Sequence, residues 1–174
     1  GLQIGELVED AEVIGGASPN AIAVGHKYAY VTNATNDNIA VIDYKRGKIV
    51  KHIPIKVDPK LDRYRGLLPF GIALSKNEET LYVALLGFNA VAKIDIKSSK
   101  TSGLIPTGWG TTRVALSDDE KHIYITSCRG LGAGPNGGKN FKIPKQGTYI
   151  GDIQLGSFQD VLNPDEATLS IYTK

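Results

Sequence analysis

Short runs of apolar residues, each broken by Gly, Asn, Asp or Lys, follow one another along most of the chain. Two of these runs, 38–44 and 90–96, carry apolar side chains at both odd and even positions. A strand with one face in water alternates apolar and polar residues, so a strand that is apolar at both parities is buried on both faces. The pattern therefore predicts short β-strands that are covered from two sides.

The strand pattern is repeated along the chain. Three copies begin with similar six-residue segments, at 19–24, 69–74 and 111–116. Each is followed by a second run that contains an equivalent tyrosine: Tyr30, Tyr82 and Tyr124. The last two tyrosines are 42 positions apart, and the first two are 52 apart because a loop is inserted near residues 56–67. A period of this length indicates a repeat architecture.

Each repeat contains four short runs, which is the size of one four-stranded propeller blade. Pro54 and Pro106 lie in the fourth run, and proline is tolerated in a sheet mainly on an edge strand. Stacked blades would also cover the middle strands on both faces. The sequence therefore predicts an all-β fold, a β-propeller of about three to four four-stranded blades within residues 1–163. The three clear blades are predicted near 18–57, 68–108 and 110–163.

The third repeat differs from the others by a long insertion. If Asn163 is the equivalent of Asp43, roughly 26 extra residues lie between its second and third strands. The segment 129–156 then forms a long ordered loop, and loops of this length are usually functional or disordered. Beyond it, Asn163 as cap and Pro164 in the first turn predict a short helix within an exit segment at 164–174.

Three clear blades are fewer than the four that a closed propeller needs. The chain is therefore expected to be a fragment of a larger ring, in which segment 12–15 resembles an outer strand of a preceding blade. An open arc leaves apolar blade faces uncovered, and large exposed apolar patches usually mark interfaces. We expect the isolated chain to self-associate.

Two motifs resemble a known family. Tyr30-Val31-Thr32-Asn33, followed by Asn38 to Asp43, resembles the YVTN β-propeller repeat family, which is related in shape to surface-layer and quinoprotein-type propellers. Residues 68–134 and 147–152 more narrowly resemble the propeller half of bacterial proteins whose C-terminal half is a phosphoesterase of the alkaline-phosphatase superfamily. This resemblance implies a seven-bladed ring, a periplasmic or extracellular location, and a non-catalytic segment beside a catalytic domain. No phosphatase residue lies in this chain to be carried over.

Composition narrows the classes of partner. Lys and Arg number 20 against 18 Asp and Glu, and a net charge of +2 is too weak to attract nucleic acid by itself. The longest apolar stretches, such as 81–86, fall far short of the ~20 residues that span a bilayer. Cys128 is the only cysteine, so no intramolecular disulfide forms. We expect no nucleic-acid partner, no membrane span and no cofactor.

Two apparent chemical motifs lack the context that their chemistry needs. Residues 132–137 match the dinucleotide pattern GxGxxG, but Pro135 and the absence of an apolar helical run after it predict a plain loop. The histidines at 26, 52 and 122 have no second ligand at metal spacing. The sequence therefore predicts neither a nucleotide site nor a metal site, and it offers no catalytic residue.

Candidate binding residues lie in two loops, because propeller partners generally meet variable loops at one end of a rigid ring. They are Arg63, Tyr64, Arg65, Arg129, Asn136, Asn140, Lys142 and Tyr149. The leading hypothesis is a non-catalytic scaffold or interaction domain of an exported bacterial protein, which packs against an adjacent domain or another protein.

Two alternatives stay open. One is a lactonase-like propeller enzyme that uses Asp62, Arg63 or Arg65 at the central mouth of the ring. In that case the mouth should gather convergent ionisable side chains, whereas a docking face should present Gly, Tyr and Asn over an apolar floor. The other is a surface-layer structural protein, for which the repeats alone would suffice.

Overall fold

The computed structural model of the chain describes residues 1, 2, 4, 17–130, 149 and 154–174. Within these residues the chain forms three antiparallel sheets, which we call blades 1, 2 and 3, and an α-helix. Blade 1 contains β1 (Pro19–Val24), β2 (Tyr28–Asn33), β3 (Asn38–Asp43) and β4 (Lys48–Pro54). Blade 2 contains β5 (Pro69–Leu74), β6 (Thr80–Leu85), β7 (Ala90–Asp95) and β8 (Lys100–Pro106). Blade 3 contains β9 (Thr111–Leu116), β10 (His122–Ser127) and β11 (Ser157–Leu162), and α1 is Glu166–Tyr172.

Each sheet is a meander whose strands pair in chain order. The first strands form the inner hub, since β5 contacts both β1 and β9. The fourth strands, β4 and β8, form the rim and end at Pro54 and Pro106. The propeller-type fold and the edge location of both prolines are therefore as the sequence predicts.

The core lies between the blades. We call the face of a blade that is turned toward the next blade its leading face, and the opposite face its trailing face. Tyr30 and Val41 on the leading face of blade 1 share one buried cluster with Leu81 and Val83 on the trailing face of blade 2. Blades 2 and 3 form a second cluster in the same way, which includes Tyr82, Val91, Ile123 and Ile125. The middle strands of blade 2 are thus dry on both faces, as predicted, and this apolar burial is the main stabilising contribution.

Acidic side chains tie neighbouring blades together at the hairpins between first and second strands. Glu78 of blade 2 accepts a hydrogen bond from the backbone N–H of His26 in blade 1 at 2.8 Å, and its carboxylate also contacts the His26 ring. Glu120 occupies the equivalent place in blade 3 and accepts from the N–H of Lys76 in blade 2 at 2.6 Å. The same clamp therefore recurs at both blade junctions.

The Glu78 clamp makes stability depend on acid pH. Hydrogen bonds from the backbone and then the ring of His26 lower the pKa of Glu78 from its usual 4.5. A carboxylate whose pKa is lower in the folded state stabilises the fold above its unfolded pKa, and this contribution is lost as pH falls through the folded pKa. We expect the difference in unfolding free energy between wild type and Glu78→Gln to shrink below about pH 4.5, as urea titrations at several pH values will show.

A matched control for this effect is Glu79→Gln. The Glu79 carboxylate bonds to Asn77 within its own hairpin and does not reach blade 1. Its variant should therefore show a smaller pH-dependent difference than Glu78→Gln. A difference for Glu78→Gln that stays constant from neutral to acid pH would contradict the clamp.

The C-terminal segment corrects two details of the sequence interpretation. Asp165 caps α1, because its carboxylate accepts from the N–H of Thr168 at 2.8 Å; Asn163, the predicted cap, instead bonds through its side chain to the hydroxyl of Tyr82. The pairing of His122 with Leu162 matches that of Tyr28 with Asp43, so Leu162 and not Asn163 is the equivalent of Asp43. The insertion is thus one residue shorter than predicted.

The helix α1 packs on the rim of blade 2. Leu169 is buried in the cluster between blades 2 and 3, and the N–H of Leu104 in β8 donates to the hydroxyl of Thr173 at 3.0 Å. Segment 12–15 and most of the predicted loop 129–156 lie outside the described residues. Among the described residues, no helix is both long and apolar enough to cross a bilayer.

Candidate functional site

One end of the blades carries the connections that lead from a second to a third strand and from one blade to the next. Strand direction alternates within each antiparallel meander, so these connections must share one end. We call it the loop end. The inserted connection between β4 and β5 starts there, and β10 ends and β11 begins there. Both loops that carry the predicted binding residues are therefore attached at the same end.

The inserted connection is fixed to blade 1 by Asp37. This residue has the left-handed φ of 49°, and its carboxylate accepts from the N–H groups of Gly66 and Leu68 at 2.8 and 2.9 Å. Asn89 takes the equivalent place in blade 2, with φ 56°, and accepts from the N–H of Gly110 at 2.7 Å. Each blade thus uses one polar side chain to hold the chain that enters the next blade.

A pocket of about 360 Å³ opens at the loop end between blades 1 and 2. Its walls come from the turn between β2 and β3, the inserted connection and the turn between β6 and β7. Apolar lining residues include Pro54, Ile55, Leu61, Leu67 and Phe88. Such a concave, partly apolar site with a few polar groups is typical of ligand binding.

The acidic side chains of the pocket already have partners. Asp37 holds two backbone N–H groups, as described above. Asp58 accepts from the N–H of Lys60 at 2.7 Å and so caps the short 3-10 turn Pro59–Leu61. Asp62 forms an ion pair with Lys56 at 3.4 Å, which is exposed on both sides and therefore weak. The carboxylates stabilise the loop conformation.

The pocket also contains two arginines, Arg63 and Arg65. Arg63 donates to the hydroxyl of Tyr64 at 3.0 Å, and its guanidinium carbon lies 5.0 Å from the Tyr64 ring centroid, a cation–π geometry. In the part of the chain that the structure describes, neither Arg63 nor Arg65 has a carboxylate within 4.0 Å. Both guanidinium groups are exposed at the pocket, so they can receive an anionic group.

The other candidate residues do not join this pocket. Arg129 follows β10 and is exposed, and its backbone N–H donates to the carbonyl of Trp109 at 2.9 Å. Tyr149 is exposed, but it does not line the pocket. Asn136, Asn140 and Lys142 lie outside the described residues.

Sequence reasoning missed the pocket residues that come from the two hairpin turns and the rim: Asp37, Phe88 and Lys56. The repeat contained a usable signal for Asp37, because this residue aligns with Asn89 at a position that needs a short polar side chain. Nothing in the sequence pointed to Phe88, whose neighbours in the pocket come from another blade.

The residues considered for an enzymatic mouth belong to the same pocket. Asp62, Arg63 and Arg65 lie on the connection that starts at the rim strand β4, and they line the pocket with Pro54. The hub strands β1, β5 and β9 together contribute Arg113 as their single ionisable side chain.

Comparison with known proteins finds similar structures but no similar sequences. No protein-family model matches the chain, and no curated protein matches its sequence. Similar solved structures include hydrazine synthase of Kuenenia stuttgartiensis, with a TM-score of 0.59 and 16% identity over 74% of this chain and 35% of that chain. A candidate 6-phosphogluconolactonase of Bacteroides fragilis matches with a TM-score of 0.52 and 16% identity. The match covers 64% of this chain and 33% of that chain.

An inactive variant of virginiamycin B lyase from Staphylococcus aureus, solved with quinupristin, gives a TM-score of 0.51 and 15% identity over 90% of this chain. The chain spans 33–45% of the length of these three proteins. Identities this low establish the fold alone, and the narrower YVTN and phosphoesterase resemblance stays a prediction. The lactonase and the lyase are β-propeller proteins, and this chain shares their fold.

Proposed function

We propose that this chain is a non-catalytic β-propeller module that binds an acidic segment of another protein domain at its loop end. The observation that supports this most directly is the pair Arg63 and Arg65, which flank Tyr64 beside an apolar pocket and have no acidic partner among the described residues. A guanidinium binds a carboxylate through two parallel hydrogen bonds, which gives both strength and orientation.

The chemistry of the pocket favours binding over catalysis. A general acid or base needs a carboxylate or imidazole with a free atom near the substrate. Both oxygens of Asp37 accept from backbone N–H groups, one oxygen of Asp58 caps the turn Pro59–Leu61, and Asp62 forms an exposed ion pair with Lys56, so these carboxylates mainly hold the loop in place. Beside them the lining offers the guanidinium groups of Arg63 and Arg65 and an apolar surface, which suit the recognition of a bound segment.

The expected ligand is a short extended peptide with carboxylate side chains and an apolar or aromatic neighbour. Its carboxylates would meet Arg63 and Arg65, while Leu61 and Phe88 would contact its apolar side chain. Because the arginines are exposed, the interaction should weaken at high ionic strength. An adjacent domain of the same exported protein, such as the phosphoesterase implied by the resemblance, is the partner we expect.

Fluorescence anisotropy with labelled peptides tests this proposal. A fluorescein-labelled hexaglutamate should bind at low salt, and a labelled hexaserine should not. The double variant Arg63→Ala, Arg65→Ala should bind hexaglutamate about tenfold or more weakly, since a hydrogen bond to a charged group contributes ~1.5–3 kcal/mol.

The matched control is Lys45→Ala, Lys97→Ala. It removes the same net charge from two exposed turns at the end opposite the loop end. Its affinity for hexaglutamate should stay close to that of wild type. Equal losses in the two double variants would mean that only net charge matters, and the pocket proposal would then be wrong.

A further inference from the structure

The connection between blades 2 and 3 carries an exposed tryptophan at the loop end. Trp109 lies two positions before β9 and is 46% exposed. Its carbonyl accepts from the N–H of Arg129 at 2.9 Å, and its own N–H donates to the carbonyl of Gly130 at 2.8 Å. The backbone of Trp109 is therefore fixed beside the end of β10, while its indole ring remains at the surface.

The repeat shows which position Trp109 occupies. Leu67 lies two positions before β5, and its carbonyl accepts from the N–H of Gly87 at 3.0 Å, as the carbonyl of Trp109 accepts from Arg129. Leu67 is half-buried and lines the loop-end pocket described above. Trp109 is therefore the counterpart, at the junction of blades 2 and 3, of a pocket residue at the junction of blades 1 and 2.

A further wall of the pocket also has a counterpart at this second junction. Ile55 lines the pocket, and its N–H donates to the carbonyl of Asp37 at 3.0 Å. In the same way, the N–H of Thr107 donates to the carbonyl of Asn89 at 3.1 Å. The inserted connection has no counterpart, because β8 and β9 are joined by the short segment 107–110. The second junction therefore repeats the part of the pocket that the blades build, without the inserted loop.

Phe88 belongs to both junctions. It lines the loop-end pocket from blade 2, and in the repeat it aligns with Asn36, which lines the same pocket from blade 1. It also immediately precedes Asn89, whose side-chain oxygen accepts from the N–H of Gly110 at 2.7 Å. Gly110 is the residue that follows Trp109. The apolar surface of the pocket therefore continues through Phe88 toward Trp109.

The charges at the second junction suit an acidic ligand. Asn89 takes the place of Asp37 in the turn, so that a neutral amide replaces a carboxylate. Arg129 is exposed and lies next to Trp109 along the loop end. The connection between β8 and β9 and the end of β10 contain no acidic residue. A peptide whose carboxylates meet the pocket arginines therefore encounters no opposing carboxylate here.

We propose that the acidic segment bound at the loop-end pocket continues across Phe88 and places an apolar side chain against Trp109. The recognised motif is then bipartite, with carboxylates at one end and an apolar anchor at the other. This inference rests on the function proposed above, and it adds Trp109 as a residue that determines specificity. A rigidly held aromatic ring is a typical anchor of a protein interface, because it buries a large area at a small cost in conformational entropy.

Trp109 is the only tryptophan of the chain, so its fluorescence reports on this position alone. Two kinds of unlabelled, tryptophan-free peptide test the inference: hexaglutamate, and hexaglutamate extended at either end by a Gly-Ser spacer of varied length and two leucines. The extended peptide of suitable length should shift the Trp109 emission to shorter wavelength and protect it from acrylamide, because the contact removes the indole from water. Hexaglutamate should bind without either change.

Anisotropy of the labelled peptides measures the accompanying gain in affinity. The extended peptide should bind about fivefold or more tightly than hexaglutamate, a gain that partial burial of leucine supplies. Trp109→Ala should abolish this gain and leave the affinity for hexaglutamate unchanged. The matched control is Tyr44→Ala, which removes a ring of similar exposure, 43%, at the end opposite the loop end. This variant should retain the full gain.

The possible results separate this inference from the function on which it rests. If hexaglutamate binds through Arg63 and Arg65 but no extended peptide gains affinity, the extension to Trp109 is wrong and the pocket proposal is unaffected. If hexaglutamate does not bind the wild type, the proposed function is itself wrong. A gain that persists in Trp109→Ala, or that Tyr44→Ala loses equally, would also overturn the inference, provided that circular dichroism shows both variants to be folded.

Discussion

Replacing Leu81 with alanine is expected to lower the free energy of unfolding by about 2–5 kcal/mol. Leu81 is fully buried on the trailing face of blade 2 and belongs to the cluster that joins blades 1 and 2. The loss combines the transfer of the side chain from water with the cavity that remains. Because the Glu78 clamp and Asp37 hold the two blades at a fixed spacing, the cavity cannot collapse easily.

Urea unfolding followed by circular dichroism measures this change. The control is Leu155→Ala, which shortens an exposed leucine outside the described strands. Substitutions at exposed sites usually change stability by about 0.5 kcal/mol or less. If Leu81→Ala were as mild as the control, the contact between blades 1 and 2 would not be a packed core.

The blade architecture was predictable because it depends on periodic features. The tyrosine repeat indicated a blade-like repeat, and the apolar residues at both parities indicated that the middle strands are covered on both faces. Pro54 and Pro106 located the rim, since a missing N–H is tolerated only where no further strand pairs. Each of these signals lies within a single repeat, and it occurs again in the next repeat.

The contacts between blades were not predictable, because they depend on residues that are distant in sequence. In the sequence, Glu78 looks like an ordinary acidic residue of a hairpin turn. Only the fold brings it next to His26, which lies 52 positions earlier. Helix-capping preferences could not choose between Asn163 and Asp165 either, as both are good cap residues. The contact with Tyr82 in another blade engages Asn163, which leaves Asp165 as the cap.

The candidate site was predictable only in part for the same reason. Arg63, Tyr64 and Arg65 were selected because they combine charge and an aromatic ring in an inserted loop. The sequence does not show which acids of the pocket already have hydrogen-bond partners. Asp37, for example, accepts from N–H groups about thirty positions later in the chain, and only the folded backbone brings them together. An anionic ligand for this pocket could therefore be proposed only once its carboxylates had been located.

Adding one methyl group at Gly71 is expected to destabilise the protein by about 1–3 kcal/mol, the usual cost of overpacking. A Cβ atom at this position would lie 2.6 Å from the carbonyl oxygen of Thr112 and 2.8 Å from the Cα of Arg113. Both are backbone atoms of β9, which is paired with β10 and cannot move alone. Strand propensity predicts the opposite sign, because glycine inside a strand ordinarily costs about 0.5–1 kcal/mol relative to alanine.

The reverse change at the equivalent position of blade 1 is the control. Ala21→Gly creates no clash and should cost only the conformational entropy of glycine, about 0.5–1 kcal/mol. Urea unfolding of both variants therefore compares the same two residue types at equivalent positions. A Gly71→Ala variant more stable than wild type would show that the hub strands of blades 2 and 3 are not in close contact. The packing of β1, β5 and β9 as a shared hub would then be wrong.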